Sequence, residues 1–170
     1  KGIDITHATA YMPVNYPIIE WALKHLPNIS KTHFLDLGCG KGRALCVAAY
    51  YGFAKVTGVD FSKDFCTKAV ENLTHLKKTF PSLEFNVFTN DAFYFEIPDD
   101  VDCLFLFNPF DDVIMSGVLE NIEISLAKNP RKIYIVYANP LHKKMFLGAG
   151  FKEINHFIKM KYLEVSILGN

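Results

Sequence analysis

No apolar run in these 170 residues reaches the roughly 18–20 needed to span a bilayer. The richest, ALCVAAYY at 44–51, is far too short. Charge of either sign is not in excess either. Eighteen lysines and arginines balance eighteen aspartates and glutamates, and the sequence pI is about 7.2. That balance removes a whole-domain electrostatic grip on nucleic acid or anionic membrane. C-x-x-C pairs are missing: Cys39, Cys46, Cys66 and Cys103 are widely spaced and read as small buried hydrophobes rather than disulfides or metal ligands. The six histidines stand at no familiar ligand spacing from a cysteine or carboxylate, so no metal is expected. Repeats, low-complexity tracts and linkers are absent too. Half the residues are apolar and 14% aromatic, which excludes global disorder. A single domain over 1–170 is expected, its first 30 residues forming an arm and a helix.

What is present alternates. Residues 1–16 read as an extended arm. PIIEWALKHL at 17–26 reads as a helix with Pro17 in its first turn and Ile18, Ile19, Ala22, Leu23 and Leu26 on one face. THFLDL at 32–37 is a short buried strand, RALCVAAYYG at 43–52 a helix ended by Gly52, and AKVTGVD at 54–60 the next strand. Ser62 caps a helix running to about Lys78, with Phe65, Ala69, Val70, Leu73 and Leu76 as its inner stripe. Strands follow at 83–90 and 101–108, then a helix capped by Asp111, a strand at 131–139, a short helix, and two final strands expected to pair antiparallel. Strand and helix in alternation predict a three-layer α/β/α sandwich, a mostly parallel sheet covered on both faces. Its sheet should have seven strands, mostly parallel, with a C-terminal antiparallel strand.

One turn stands out in this pattern. FLDLGCGKGRAL at 34–45 carries Gly38, Gly40 and Gly42 at alternate positions, just after Asp36. Each glycine costs roughly 0.5–1 kcal/mol against alanine, so three together imply a backbone requirement. The turn joins a first strand to a helix, where open parallel sheets bind ligands. The dinucleotide fingerprint G-x-G-x-x-G would need a third glycine at position 43, which is arginine. A carboxylate two residues before the first glycine suits a cationic ligand better than a pyrophosphate.

With D-x-G-x-G-x-G at 36–42, the chain resembles the class I S-adenosylmethionine (SAM)-dependent methyltransferases over nearly its whole length. The resemblance implies a Rossmann-like α/β/α fold and SAM as cofactor, held by Asp36, Gly38, Cys39, Gly40 and Gly42. It places Asp60, in VTGVDFS, on the ribose hydroxyls, with Phe61 on one adenine face or in packing. In TNDAF, Asp91 would take the exocyclic adenine amine and the backbone of Ala92 a ring nitrogen. Arg43 would pair with the methionine carboxylate of the cofactor, or else be a solvated first-turn residue. FNPF at 107–110 is similar to the D/N/S-P-P-Y/F motif of amino-directed members, contracted by one proline. Asn108, Pro109 and Phe110 would then hold and stack on the acceptor amine; the other reading is a turn before the Asp111 cap. Tyr11 and Tyr16 are candidates for a lid over cofactor or substrate, with packing as the alternative.

The function this implies is methyl transfer to an unidentified acceptor, an amine nitrogen of a protein lysine or small molecule being the expected kind. Protein and small-molecule acceptors are favoured over nucleic acid, no membrane partner is expected, and a cytoplasmic location is. The alternative is a catalytically silent SAM-binding module serving a protein partner.

Overall fold

In a computed structural model, residues 14–107, 110–159 and 163–170 are described. The chain opens with α1 (Tyr16–Lys24), followed by β1 (His33–Leu37), α2 (Arg43–Tyr50), β2 (Lys55–Asp60), α3 (Lys63–Leu76) and β3 (Glu84–Thr89). A single 3-10 turn at Ala92–Tyr94 leads to β4 (Cys103–Phe107), α4 (Asp112–Lys128), β5 (Tyr134–Ala138), α5 (Lys143–Gly148), β6 (Lys152–Lys159) and β7 (Leu163–Gly169).

Local chemistry sets the boundaries. Pro17 occupies the first turn of α1, where its missing N–H would be unpaired anyway. Gly52, at φ 93°, lets the chain leave α2 in the left-handed region. Ser62 Oγ accepts the Phe65 N–H, and Asp111 Oδ1 accepts those of Val113 and Ile114, so both long helices start on the caps read from sequence. Along α3 the inner stripe is Cys66, Ala69, Leu73 and Leu76, which keeps the three-to-four-residue spacing of one helix face. This corrects the expected stripe: Val70 is exposed and Phe65 only half-buried, because each flanks that line. Cys66 and Cys103 are buried thiols, and Cys46 is half-buried.

Seven strands form one sheet in the order β3-β2-β1-β4-β5-β7-β6. β1 to β5 run parallel, and β7 is antiparallel to both neighbours. The order reverses between β1 and β4, so a crevice opens beyond their C-terminal ends. β1 faces β4 in the register Asp36 opposite Phe105. On one face α1, α2 and α3 bury Ile18, Leu45 and Leu73 against Phe34, Val56 and Phe105. On the other, α4 and α5 bury Val118, Ile122 and Phe146 against Leu35, Leu104 and Ile135. Trp21 anchors α1 to the sheet, its ring stacked between His25 at 4.3 Å and Phe157 of β6 at 4.4 Å. Among the described residues no helix is long and apolar enough to cross a membrane.

The N-terminal ends of the strands are tied by polar contacts. His33 is fully buried; its Nδ1 lies 2.7 Å from Asp100 Oδ1 and its Nε2 2.7 Å from Thr57 Oγ1. Lys55 Nζ also reaches Asp100, and Asp102 accepts the backbone N–H groups of Thr32 and His33. Arg131 donates to the carbonyls of Val101, Pro98 and Ser125 and to the hydroxyl of Ser125.

Candidate functional site

The chain leaves β1 at Leu37 and turns at once. The N–H groups of Gly38 and Cys39 both donate to Val59 O, at 2.8 and 3.0 Å, which fastens the turn to the end of β2. Gly38, Gly40 and Gly42 have φ of 83°, 52° and 79°. All three therefore occupy the left-handed region that a side chain disfavours. At Gly42 there is a second demand: a Cβ would stand 3.0 Å from Ala69 Cβ on α3. The glycine there permits close helix packing.

A fourth glycine belongs to this turn and was missed in the sequence. A Cβ at Gly58 would meet Cys39 Sγ and Leu45 Cδ1, each at 2.7 Å. Cys39 is buried and fills the space that Gly58 leaves. The available signal was an isolated glycine inside the strand run KVTGVD, which marks a close approach of another segment.

Two carboxylates meet at the turn. Asp60, 7% exposed, accepts the Gly40 N–H on Oδ2 and the Ser62 N–H on Oδ1, both at 2.9 Å. Burial pushes its carboxyl up, and these two backbone hydrogen bonds hold the rise in check. Asp36 is 4% exposed, and no hydrogen-bond donor reaches its carboxylate among the described residues. Burial first, and the charge of Asp60 second, push its carboxyl well above the usual range. A buried carboxylate without a donor costs free energy unless a cation or donor joins it. An ammonium or sulfonium ligand would meet that demand, and Asp60 retains lone pairs for hydroxyl donors. The residues thus fit SAM.

The remaining sequence candidates fall around this pair. Asn90 N donates to Asp60 O, so the chain leaving β3 is tied to the end of β2. Asp91 Oδ1 accepts the Phe93 N–H and caps the 3-10 turn, in which Ala92 is buried. Phe61 is half-buried directly after Asp60. Arg43 is engaged by the segment that precedes the glycine turn. Its Nη1 donates to Val14 O at 2.7 Å, and its guanidinium lies 4.7 Å from the exposed Tyr16 ring. Arg43 and Tyr16 together fasten the start of α1 beside the glycine turn. Phe110 is half-buried against the α4 face of the core. Tyr11, Asn108 and Pro109 lie outside the described residues. Among the described residues, no cluster of three histidine, cysteine or acidic side chains is placed to hold a metal.

Comparison with known proteins agrees with this fold. The model of a family described as methyltransferase domain matches residues 28–154. No curated protein matches the sequence. Among solved structures, a Salinibacter ruber RNA methyltransferase in complex with S-adenosyl-L-homocysteine has a TM-score of 0.67 at 16% identity, over 93% of either chain. The putative Escherichia coli methyltransferase yhhF has a TM-score of 0.69 at 15% identity, over 92% of this chain and 87% of its own. StiE O-MT, residues 961–1257, has 0.68 at 10% identity, over 90% and 72%. These identities speak for the fold alone; the family match speaks for kinship. The chain belongs to the methyltransferase-domain family and is a class I SAM-dependent methyltransferase.

Proposed function

We propose that the chain transfers the methyl group of SAM to an amine nitrogen, on a protein lysine or a small molecule. The observation that carries the cofactor half is the buried Asp36 carboxylate without a donor among the described residues, beside Asp60. SAM supplies a methyl group on a sulfonium, activated for displacement. Asp36 would sit at the cationic amino-acid end of the cofactor and Asp60 on its ribose hydroxyls. Asp91 and the backbone of Ala92 would read the adenine. Arg43, committed to Val14 O and the Tyr16 ring, would hold the arm rather than the cofactor's carboxylate.

The acceptor half rests on FNPF at the exit of β4, next to β1 at the reversal of strand order. Asn108 and the Pro109 carbonyl would accept hydrogen bonds from a neutral amine, and Phe110 would pack on its carbon chain. In-line displacement needs little covalent help, and positioning alone supplies roughly 7–11 kcal/mol. Solved neighbours include an RNA methyltransferase and an O-MT, so the fold does not choose the acceptor. The balanced charge supports protein or small molecule over nucleic acid. Four free thiols, three of them buried, support a reducing compartment and hence the cytoplasm.

The test joins calorimetry with turnover. SAM should bind one to one, NAD should not, and a panel of lysine peptides and small amines should contain a methylated product. Asn108→Ala should lower turnover on that acceptor about tenfold or more, about 1.4 kcal/mol in the barrier, while SAM affinity stays unchanged. Normal turnover in this variant would remove Asn108 from the acceptor site.

A further inference from the structure

Away from the glycine turn, a groove of about 330 Å³ runs between α4 and the chain that follows β3. Phe93, Tyr94, Glu96 and Ile97 form one wall, and Glu120 and Ile124 stand on the other. Tyr94 is 73% exposed and Ile124 46%, so both walls of the groove present apolar surface to water. The walls are built: Asn121 Nδ2 donates to Phe93 O at 2.8 Å. Phe93 also packs so closely on α4 that a Cβ at Gly117 would meet its ring at 2.5 Å. Gly117 is five residues past Asp112, so the groove begins about 7–8 Å along α4 from the end that follows FNPF.

Charge identifies the occupant. The chain as a whole is neutral, yet residues 91–127 hold nine aspartates and glutamates and no lysine, arginine or histidine. At the strand bases Asp100 and Asp102 are engaged by His33, Lys55 and backbone. Glu96 and Glu120, which line the groove, have no ion-pair partner among the described residues. Lys128 is the cation lining it. Apolar side chains flanked by unpaired carboxylates suit a peptide that alternates basic and aliphatic residues, and repel RNA and anionic lipid.

We propose that this groove docks a basic segment of a protein acceptor and leads its lysine toward Phe110. The proposal rests on the amine-transfer reading above, with protein rather than small molecule as the acceptor.

A labelled seven-residue peptide with lysine at every third position and leucine between them is the probe, with its glutamate counterpart and a labelled RNA decamer as controls. Fluorescence anisotropy should show the lysine peptide binding wild type, with about tenfold weaker binding to Glu120→Lys and to Ile124→Ser. Glu71→Lys, an equal charge change on α3, should bind as wild type does. Equal affinity across the three variants, equal loss in Glu71→Lys, or binding of the RNA or glutamate control in preference overturns the groove. SAM calorimetry on the same samples keeps the readings apart. SAM binding without peptide binding overturns the groove alone, and peptide binding without SAM binding overturns the amine-transfer reading while the groove stands as a peptide site.

Discussion

The two ends of β1 handle buried polar groups in opposite ways. At its start His33 has both ring nitrogens paired, to Asp100 and Thr57, and Asp102 takes two backbone N–H groups. Arg131 closes the same end with bonds to four carbonyls. Three residues after His33, Asp36 is just as deep and has no donor among the described residues. Asp60 beside it accepts the backbone N–H groups of Gly40, in the glycine turn, and of Ser62. The base spends its polar groups on one another, which stabilises the sheet. The far end leaves the Asp36 carboxylate without such a tie, and the protein bears that cost.

Breaking the base should produce the largest effect. Arg131→Ala leaves several partly buried carbonyls short of a donor, and a loss of about 2–4 kcal/mol in urea unfolding is expected. SAM affinity of the folded fraction should not change. Asp60→Ala acts at the other end, with SAM binding weakened about tenfold or more, or about 1.4 kcal/mol. Calorimetry measures it, and unchanged affinity would take Asp60 out of the site. Asp36→Asn should divide the comparison most cleanly. It removes a poorly compensated buried charge, so the apo protein should melt at higher temperature at pH 7 while SAM binds less tightly. A lower melting temperature would show that Asp36 has an internal partner after all.

The smallest effect is the pH dependence, where the two ends have opposite signs. Burial holds the His33 imidazole below its usual 6.5, although the Asp100 hydrogen bond pulls it back up. The unfolded chain then takes the proton first, and stability falls as pH drops below that value. Burial alone would raise Asp100, but its bonds to His33 and Lys55 hold it below 3.8, so it adds to the loss at still lower pH. Asp36, raised by burial and by Asp60, binds a proton that the unfolded chain does not. It therefore contributes stability as pH falls through its folded value and loses it as pH rises. Urea midpoints between pH 7.5 and 5 should fall more steeply in Asp36→Asn than in wild type. Parallel profiles would mean that Asp36 does not titrate in this range.

Much of this was legible in short stretches of chain. Glycines at 38, 40 and 42 and the acids at 36 and 60 form a motif whose parts lie within 25 residues, and the caps Ser62 and Asp111 act within three. What was not legible depends on neighbours from distant segments. The contacts of Arg43 with Val14 O and the Tyr16 ring were not legible, because they come from an arm 27 or more residues earlier. Gly58 made sense only when Cys39 proved to lie against it. The polar ties of His33 required knowing that β1 sits between β2 and β4, and strand order is not written in periodicity. Val70 was misplaced for a local reason: an apolar residue at the border of a helix stripe packs or not according to the width of the groove beneath it.

The docking of α1 has a practical consequence. Trp21 is the single tryptophan of the chain, and its indole is held in a stack against β6. Indole emission moves to longer wavelength when water reaches the ring, so the protein carries its own optical gauge. That gauge reports one event, the lifting of the first helix from the sheet. Because Arg43 links the start of that helix to the glycine turn, a spectrum recorded during a SAM titration would reveal whether filling the crevice moves the helix at its edge.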